Sequence, residues 1–481
     1  MAGRRGLRHS TSMVLVFLVA CISPTQFGAV ADDDRSDTVA FQRAVDEAIT
    51  KTTNVCVGPG VWHLTRTKGQ LGSLMITAGP LEIRGQGRRT VLRMTGDGNQ
   101  GHWGMIQLRG AQRVVLCDLT IDGLAAYNTE EQTHLVEIGP DSKDIVLFNV
   151  TLGPMRKPSE PVGAGIGGDC IRLLGNPGHE VERVVISHST FVDCDRSAIG
   201  LQRSLRKIVI ASIKVRGTGD TPIDFEPTGA GAIEDVVMIG LDIERAPKGQ
   251  GAWSVTIGGI GVDLARRVVL TKSRLGAGGV GMINVADVEI TDNVMTHHAG
   301  VEGVISIMRR GSRIRVANNT IVRPASTPAG PLVRATHNNG YSPDRLLVEH
   351  NTLRQETSAP IIYSASARSM IVRDNSMEYS GSDPRMGIVV AEARTVDVDE
   401  LRILDNKIRG GHSILIAGAR NHHFGEVEVQ RNTTDQNLNP IKCDGTAAAF
   451  RAVTIDSDLK PKNGCEKMRL TRARARPTPN P

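Results

Sequence analysis

The sequence predicts an all-β fold in which short strands stack in parallel, coil upon coil. One pattern of alternating apolar and polar residues recurs twelve times, from "VVLCDLTIDG" at residue 114 to "VEVQRNTTDQ" at residue 427, with a mean spacing of about 28 residues. A third apolar strand, such as "TPIDFEPTG" at 221–229, lies between successive copies. No repeated segment keeps the 3.6-residue period of a helix, so three strands per coil indicate a parallel solenoid.

The first 31 residues have the features of an export signal. Three arginines precede the apolar run "MVLVFLVACIS", which is too short to span a membrane, and "AVA" at 29–31 forms a small-residue cleavage site. The stretch "LVAC" at 18–21 supports an alternative, in which Cys21 becomes the lipid-modified N-terminus of a bacterial lipoprotein. We expect cleavage after Ala31 and a secreted or periplasmic protein, with a lipid anchor at Cys21 as the alternative.

The next residues contain the elements that would close one end of a solenoid. "DTVAFQRAVDEAI" at 37–49 is an amphipathic helix, and "NVCVGPGVWHL" at 54–64 has the pattern of strand, Gly-Pro-Gly turn and strand. A cap is needed because the first coil would otherwise expose a strand edge and an open apolar core. We therefore predict an N-terminal capping helix.

An asparagine recurs at one place in the last six copies of the pattern. These residues are Asn293, Asn319, Asn351, Asn375, Asn406 and Asn432. Asparagine tolerates the left-handed backbone conformation, and its amide can hydrogen-bond to the equivalent residue one coil away. We predict that these residues stack at the turn between two strands of each coil.

The capping helix, the Gly-Pro-Gly turn and the repeat together resemble the pectin-lyase-like superfamily of right-handed parallel β-helices. The resemblance covers residues 32–440 and implies about 12 coils, with 441–481 as an irregular C-terminal segment that ends in a basic tail. The superfamily mostly cuts or remodels polysaccharides in a groove along one sheet. The resemblance thus implies an exported carbohydrate-active enzyme, although it is specific for the fold and not for the reaction.

The cysteines indicate which disulfides the chain could form, and the charge distribution indicates which partners are expected. Without Cys21, six of the seven cysteines remain, and an even number in an exported chain permits disulfides. We expect a Cys443–Cys465 bridge, whereas Cys170 and Cys194, about one coil apart, either form a bridge or are buried free thiols. The net charge of +6 is concentrated in the tail "KMRLTRARARPTPNP", so no nucleic-acid partner is expected.

The third strands align on their buried apolar pairs, which places polar residues in outward rows. One row, which we call the outward row, contains Glu137, Arg172, Gly200, Asp224 and Thr256. A parallel row two residues further along contains Gln202 and Glu226. Equivalent residues of stacked strands lie about 4.8 Å apart, so Gly200 should leave a gap between Arg172 and Asp224 where a ligand approaches the sheet.

Further polar residues are expected at the rim of the same groove. The longest insertions, at 123–133 and 155–168, precede the strands that carry Glu137 and Arg172, and long insertions on one face of a solenoid typically wall a binding groove. The expected rim residues are Asp169, Asp193, Asp195, Arg196 and Arg203.

Two mechanisms fit these residues. In β-elimination of an acidic, uronic-acid polymer, which we slightly favour, Arg172 would be the base or would neutralise the substrate carboxylate, while Asp224, Glu226 and Glu137 would hold calcium. In glycoside hydrolysis, Asp224 and Glu226 would be acid and base near the lower end of the roughly 6.5–9.5 Å spacing of inverting enzymes, with Asp195 as another partner.

A third interpretation is a non-catalytic polysaccharide-binding or surface β-helix, whose charged face only forms structural ion pairs. The sequence lacks the paired-aspartate, histidine and "R-I-K" motifs of polygalacturonases, and it lacks the "R-x-P-x-x-R" pattern of pectate lyases.

The later coils and the aromatic residues suggest where the groove ends. Ile305, Val333, Ile362 and Val389 are expected to point outwards, which would confine the chemistry to residues 125–260. Aromatic residues make up only 3% of the chain, and Trp103, Tyr127 and Trp253 are the candidates near the outward row.

Overall fold

A computed structural model describes most of the chain between residues 21 and 462. The described ranges are 21–65, 70–95, 103–123, 132–155, 168–228, 231–244, 253–259, 264–276, 278–296, 303–336, 342–365, 367–381, 388–410, 414–418, 422–434, 441–444, 450–455 and 461–462. Within these ranges, no helix has the length and apolar character needed to cross a membrane.

The strands form a parallel β-helix, as the repeat predicts. The third strand of each coil belongs to a 15-stranded sheet. Its strands are Gly72–Ile76, Trp103–Leu108, Thr133–Ile138, Ile171–Leu174, Ile199–Gln202, Ile223–Glu226, Trp253–Ile257, Gly279–Met282, Ile305–Ile307, Val333–Thr336, Ile362–Ala365, Val389–Ala393, Ile414–Gly418, Ile441–Asp444 and Pro461–Lys462.

The other strands of each coil belong to a 28-stranded sheet. They are Cys21–Ile22, Asn54–Cys56, Gly60–Thr65, Leu81–Arg84, Thr90–Thr95, Gln112–Asp122, Lys143–Leu152, Val181–Ser187, Thr190–Cys194, Leu205–Ala211, Lys214–Thr218, Ile233–Ile239, Asp242–Ile243, Ala265–Thr271, Arg274–Leu275, Val285–Thr291, Val294–Thr296, Gly311–Ala317, Thr320–Arg323, Arg345–Glu349, Thr352–Gln355, Ser369–Arg373, Ser376–Tyr379, Val398–Leu404, Lys407–Arg409, Phe424–Gln430, Thr433–Thr434 and Phe450–Ile455.

The stacking continues beyond residue 440, where the sequence suggested an irregular segment. Ile441–Asp444 pairs with Ile414–Gly418, and Phe450–Ile455 pairs with Phe424–Gln430. The alternation in "AFRAVTI" supplies the apolar residues for this additional coil.

The helix Thr38–Lys51 caps the N-terminal end, as predicted. Phe41, Ala44, Val45 and Ala48 lie on its buried face, and the Phe41 ring packs edge-on against Trp62 with their centroids 5.6 Å apart. Covering the first coil with this face removes the open end of the core from water.

Residues 21–31 also belong to the folded cap. A 3-10 helix spans Pro24–Phe27, Cys21–Ile22 pairs with Asn54–Val55, and Ala29 is buried. Cys21, expected either to leave with the signal or to carry a lipid, forms a disulfide with Cys56. Its sulfur is therefore not available for acylation in this structure.

The second bridge joins Cys170 and Cys194, which selects the disulfide of the two alternatives left open by the sequence. Cys117 is a buried free thiol. The expected Cys443–Cys465 bridge lies outside the residues whose side chains are described.

We propose that the exported chain keeps residues 21–31, and we expect Cys21→Ser to loosen the cap. The bridge joins residues separated by 35 positions, and cross-linking a loop of that length stabilises the folded state by about 3–4 kcal/mol in the chain-entropy model. Urea unfolding of oxidised wild type and variant measures the difference, which should disappear when both are reduced. An exported chain that begins at Asp32 would contradict the proposal.

The predicted asparagine stack is present. The Oδ1 atom of each asparagine from Asn319 to Asn432 accepts hydrogen bonds from the backbone N–H and the Nδ2 of the asparagine one coil earlier. The left-handed backbone falls one residue earlier than expected, for example at Asn318 (φ 57°) and His350 (φ 55°). The asparagine itself thus faces inwards, where the ladder is shielded from water.

Candidate functional site

The strand register confirms that the outward row is a continuous line of side chains. Glu137 pairs with Arg172, Arg172 with Gly200, Gly200 with Asp224, and Asp224 with Thr256. In the second row, Gln202 pairs with Glu226. Residues from five coils therefore meet on the outer face of the 15-stranded sheet.

Arg172 lies at the N-terminal side of this cluster and is almost buried. Its Nε donates to Gln202 Oε1 (2.8 Å), its Nη1 donates to Gln132 Oε1 (2.6 Å), and Nη1 lies 3.8 Å from Glu137 Oε2. Burial lowers the pKa of Arg172 below its ordinary value, although Glu137 and Asp169 oppose the shift. The guanidinium is thus held by three side chains from neighbouring coils.

Arg196, expected at the rim, lies at the centre of three carboxyl groups. Its Nη2 lies 2.5 Å from Glu226 Oε1 and 3.3 Å from Asp224 Oδ2, and its Nε lies 3.8 Å from Asp169 Oδ1. These carboxylates raise the pKa of Arg196 despite its burial. One guanidinium cannot neutralise three carboxylates, so one of them tends to keep a proton.

Glu226 is the carboxyl group best suited to keep that proton. Burial and the neighbouring Asp224 raise the pKa of Glu226 to about 7, although Arg196 opposes the shift. The Oε2 of Glu226 accepts from Gln202 Nε2 (2.5 Å), and the Thr256 hydroxyl donates to Asp224. We call Asp224 and Glu226 the acid pair.

The carboxyl groups of the acid pair are close together. One oxygen of each lies within 3.3 Å of the same Arg196 nitrogen, so these two oxygens are less than about 6 Å apart. This separation is shorter than the roughly 6.5–9.5 Å that is typical of inverting glycosidases. It allows the two groups to share a proton, as adjacent carboxyl groups do.

Asp169 fills the gap that was expected to admit a ligand. A Cβ on Gly200 would lie 2.5 Å from Asp169 Oδ2, so the glycine makes room for this carboxyl group, and the expected ligand gap was wrong. Asp169 is fully buried, and desolvation raises its pKa to about 6. Its Oδ1 accepts from the Ser197 backbone N–H (3.2 Å).

His134, to which the sequence assigned no role, joins Asp169 to Arg172. The backbone N–H of Asp169 donates to His134 Nδ1 (3.0 Å), and His134 Nε2 lies 3.1 Å from Arg172 Nη1. His134 is the second residue of its strand. The alternating pattern does not extend to it, so the sequence does not predict which way its side chain points. Proximity in sequence to Glu137 was the only available signal.

Gln107 extends the outward row by one coil and was also missed. It pairs with Glu137, and both side chains are fully buried. Neither polar atom of the Gln107 amide has a hydrogen-bond partner among the described residues. Ile106 and Leu108 bracket Gln107 as a buried pair, so extending the strand alignment by one coil would have found it.

Two expected rim residues take different places. Arg203 is exposed and donates to Asn176 Oδ1 (2.7 Å), so it does not join the cluster. Asp195 is buried in the turn after Cys194, and the Cys170–Cys194 bridge joins the two turns that carry Asp169 and Asp195. The bridge thereby fixes the spacing of adjacent charged turns.

The three expected calcium ligands do not form one site. Glu137 stacks three strands away from Asp224, a distance of about 14 Å, and Arg196 occupies the space between the acid pair and Asp169. No group of three metal-binding side chains occurs in the described part of the chain. These residues do not fit a calcium ion, and the prediction of a shared calcium site was wrong.

The prediction of which residues point outwards in the later coils was wrong by one residue. Ile305, Val333, Ile362 and Val389 are fully buried in the core, and the outward row continues through Ser306, Arg334 and Tyr363. Because side chains alternate with a period of two, a shift of one residue exchanges the two faces. The outward row is therefore polar from Ser306 to Tyr363 and becomes apolar at Val390 and Leu415.

Together the coils and the charged cluster define a right-handed parallel β-helix with buried ionisable groups on one sheet. No protein-family model and no curated protein sequence matches the chain.

Solved structures with the same architecture are distant in sequence. A mutant tailspike protein of E. coli bacteriophage HK620 in complex with a pentasaccharide is similar over 90% of this chain and 79% of its own, with 10% identity and a TM-score of 0.58. A hyperthermoactive exopolygalacturonase from Thermotoga maritima is similar over 89% and 92%, with 12% identity and a TM-score of 0.41. The A-module of an Azotobacter vinelandii mannuronan C-5 epimerase is similar over 94% and 97%, with 12% identity and a TM-score of 0.37. At 10% identity, the likeness to the tailspike protein concerns the fold alone.

Proposed function

We propose that this chain is an exported enzyme that cleaves a polysaccharide bound along the 15-stranded sheet, with the acid pair as its reacting groups. The observation that carries the proposal is the raised pKa of Glu226, about 7, beside Asp224 and Arg196. Perturbed carboxyl groups gathered on one face are typical of acid–base sites. The tailspike protein of similar fold binds a pentasaccharide, which supports a saccharide ligand.

Accessibility favours glycoside hydrolysis over elimination. The side chains of Glu226 and Asp224 are 37% and 16% exposed, whereas that of Arg172 is only 9% exposed. A sugar can therefore reach the acid pair more easily than the arginine. The calcium that elimination would use to neutralise a substrate carboxylate also has no site among these residues.

The proposed hydrolysis is a proton transfer coupled to cleavage of one bond. Protonated Glu226 donates its proton to the glycosidic oxygen as the bond from that oxygen to the sugar carbon breaks. Ionised Asp224 stabilises the positive charge that develops on that carbon, and a separation under about 6 Å fits the retaining geometry better than the inverting one. Water supplies the new hydroxyl group, and its second proton returns the site to its starting state.

Elimination remains the second candidate because of Arg172. Burial lowers the pKa of its guanidinium, the direction that a catalytic base requires. An acidic, uronic-acid polymer would be the substrate in that case.

A panel of polysaccharides tests both reactions. The oxidised chain is incubated separately with polygalacturonate, alginate and a neutral β-glucan, and the products are assayed for reducing ends and for the ultraviolet absorbance of unsaturated uronates. We expect new reducing ends without that absorbance. Appearance of the absorbance would show that the reaction is elimination and not hydrolysis. The absence of any product from all three polymers would contradict the enzymatic proposal.

A further inference from the structure

Trp253 lies flat against the outer face of the 15-stranded sheet. A Cβ on Gly281 would lie 2.7 Å from Cδ2 of the indole and 3.0 Å from both Cε2 and Cε3, the ring atoms bonded to Cδ2. A point directly above one ring atom is only slightly farther from the atoms bonded to it, whereas a point outside the ring in its plane is much farther from at least one of them. One face of the indole therefore rests on Gly281, where any larger residue would collide with it.

The tryptophan is placed to contact a ligand. Trp253 is half-buried, and Gly281 covers the face of its indole that points towards the sheet. The indole Nε1 is shielded from solvent and has no hydrogen-bond partner among the described residues. Because Nε1 is shielded, a ligand would contact the exposed part of the indole ring.

The indole is also close to the acid pair. Gly281 follows Thr256 in the outward row, and the Thr256 hydroxyl donates to Asp224. Two strand spacings, about 10 Å, therefore separate Asp224 from the glycine that supports the ring. A saccharide chain that lies along the sheet can reach both.

We propose that Trp253 is a sugar-stacking platform that binds the polysaccharide on the C-terminal side of the acid pair. The C–H face of a sugar ring is apolar, so packing it against the indole removes apolar surface from water. The inference rests on the proposed function. It adds the direction of the bound polysaccharide, which would run along the sheet from the acid pair towards Ser306 and Arg334. Arg334 and Tyr363, the next half-buried residues of the outward row, offer polar groups to a saccharide.

Binding to an inactive protein tests the platform. In a Glu226→Gln background, calorimetry measures the Kd of short and long oligosaccharides prepared from polygalacturonate, alginate and the neutral β-glucan. Trp253→Ala should weaken binding of the long oligosaccharides about tenfold or more, Trp253→Phe should weaken it less, and binding of disaccharides should change little. Phe148→Ala, which removes an exposed aromatic side chain from the other sheet, is the matched control.

The outcomes separate the platform from the enzymatic proposal. A folded Trp253→Ala or Trp253→Phe protein with wild-type Kd values, or failure of all three oligosaccharide series to bind, overturns the platform. Binding that depends on Trp253 in a chain that cleaves none of the polymers supports the platform and contradicts only the enzymatic proposal. Thermal unfolding of each variant establishes that it is folded.

Discussion

Glu226→Gln lowers the rate of polysaccharide cleavage by about 10²- to 10⁴-fold, the usual contribution of a general acid or base. Glutamine has nearly the same shape and can still contact Gln202 and Arg196, but it carries no transferable proton. Initial rates of reducing-end release, measured with whichever polymer the panel identifies, provide the test. Asp144→Asn, which alters an exposed carboxyl group paired with Arg183, should leave the rate unchanged.

The pH dependence adds a second test of Glu226. Because Glu226 acts as an acid in its protonated form and has a pKa of about 7, the wild-type rate should fall as the pH rises through 7. The residual rate of the Gln variant should lack this step. A variant with the wild-type rate and the wild-type pH profile would contradict an acid role for Glu226.

Stability has a related pH dependence with a definite sign. The pKa of Glu226 is raised in the folded chain, so its contribution is fully present below the ordinary pKa of 4.5 and is lost as the pH rises through about 7. The Gln variant should therefore gain in thermal stability relative to wild type above pH 7.

Asn351→Ala is expected to lower the free energy of unfolding by about 3–5 kcal/mol. Asn351 is buried; its Nδ2 donates to Val316 O, Glu349 O and Asn375 Oδ1, each at 2.9 Å. Its Oδ1 accepts from the backbone N–H and the Nδ2 of Asn319. Alanine leaves these buried partners unpaired, and water cannot replace the lost side chain without opening the coil.

Urea unfolding followed by circular dichroism measures this loss. Thr352→Ala, which truncates the exposed neighbouring residue, should change the free energy of unfolding by less than about 0.5 kcal/mol. Equal stability of the Asn351 and Thr352 variants would show that the ladder contributes nothing. Cleavage activity of the folded Asn351 variant should be normal, because the ladder lies away from the acid pair.

Much of the site could be predicted because the strands repeat. Alternation within "CIRLLG", "AIGLQR" and "PIDFEP" places Arg172, Gly200 and Asp224 in one row, and the structure confirms that register. Alternation failed in the later coils for a specific reason. There each third strand begins with two consecutive buried apolar residues, such as Val304 and Ile305, so the pattern does not show which of them starts the alternation.

The roles of the turn residues could not be predicted. Arg196 and Asp169 have no periodic pattern around them, and the direction of a side chain in a turn depends on the coils above and below. Gly200 illustrates the same point, because the space it leaves is filled by a carboxyl group from the preceding coil. Burial raises the pKa values of Asp169 and Glu226. This effect depends on how the cluster packs, which cannot be deduced from the sequence.

The sequence by itself determined the solenoid, its cap, the asparagine ladder and the line of polar strand residues. These depend on hydrogen bonds and apolar contacts that repeat from coil to coil, so the period of the pattern specifies them. Only the tertiary structure decided that Arg196 holds the acid pair, that Asp169 fills the space beside Gly200, and that Trp253 rests on Gly281. These contacts join residues of different coils through non-periodic turns and side-chain directions, which emerge only when the coils are stacked.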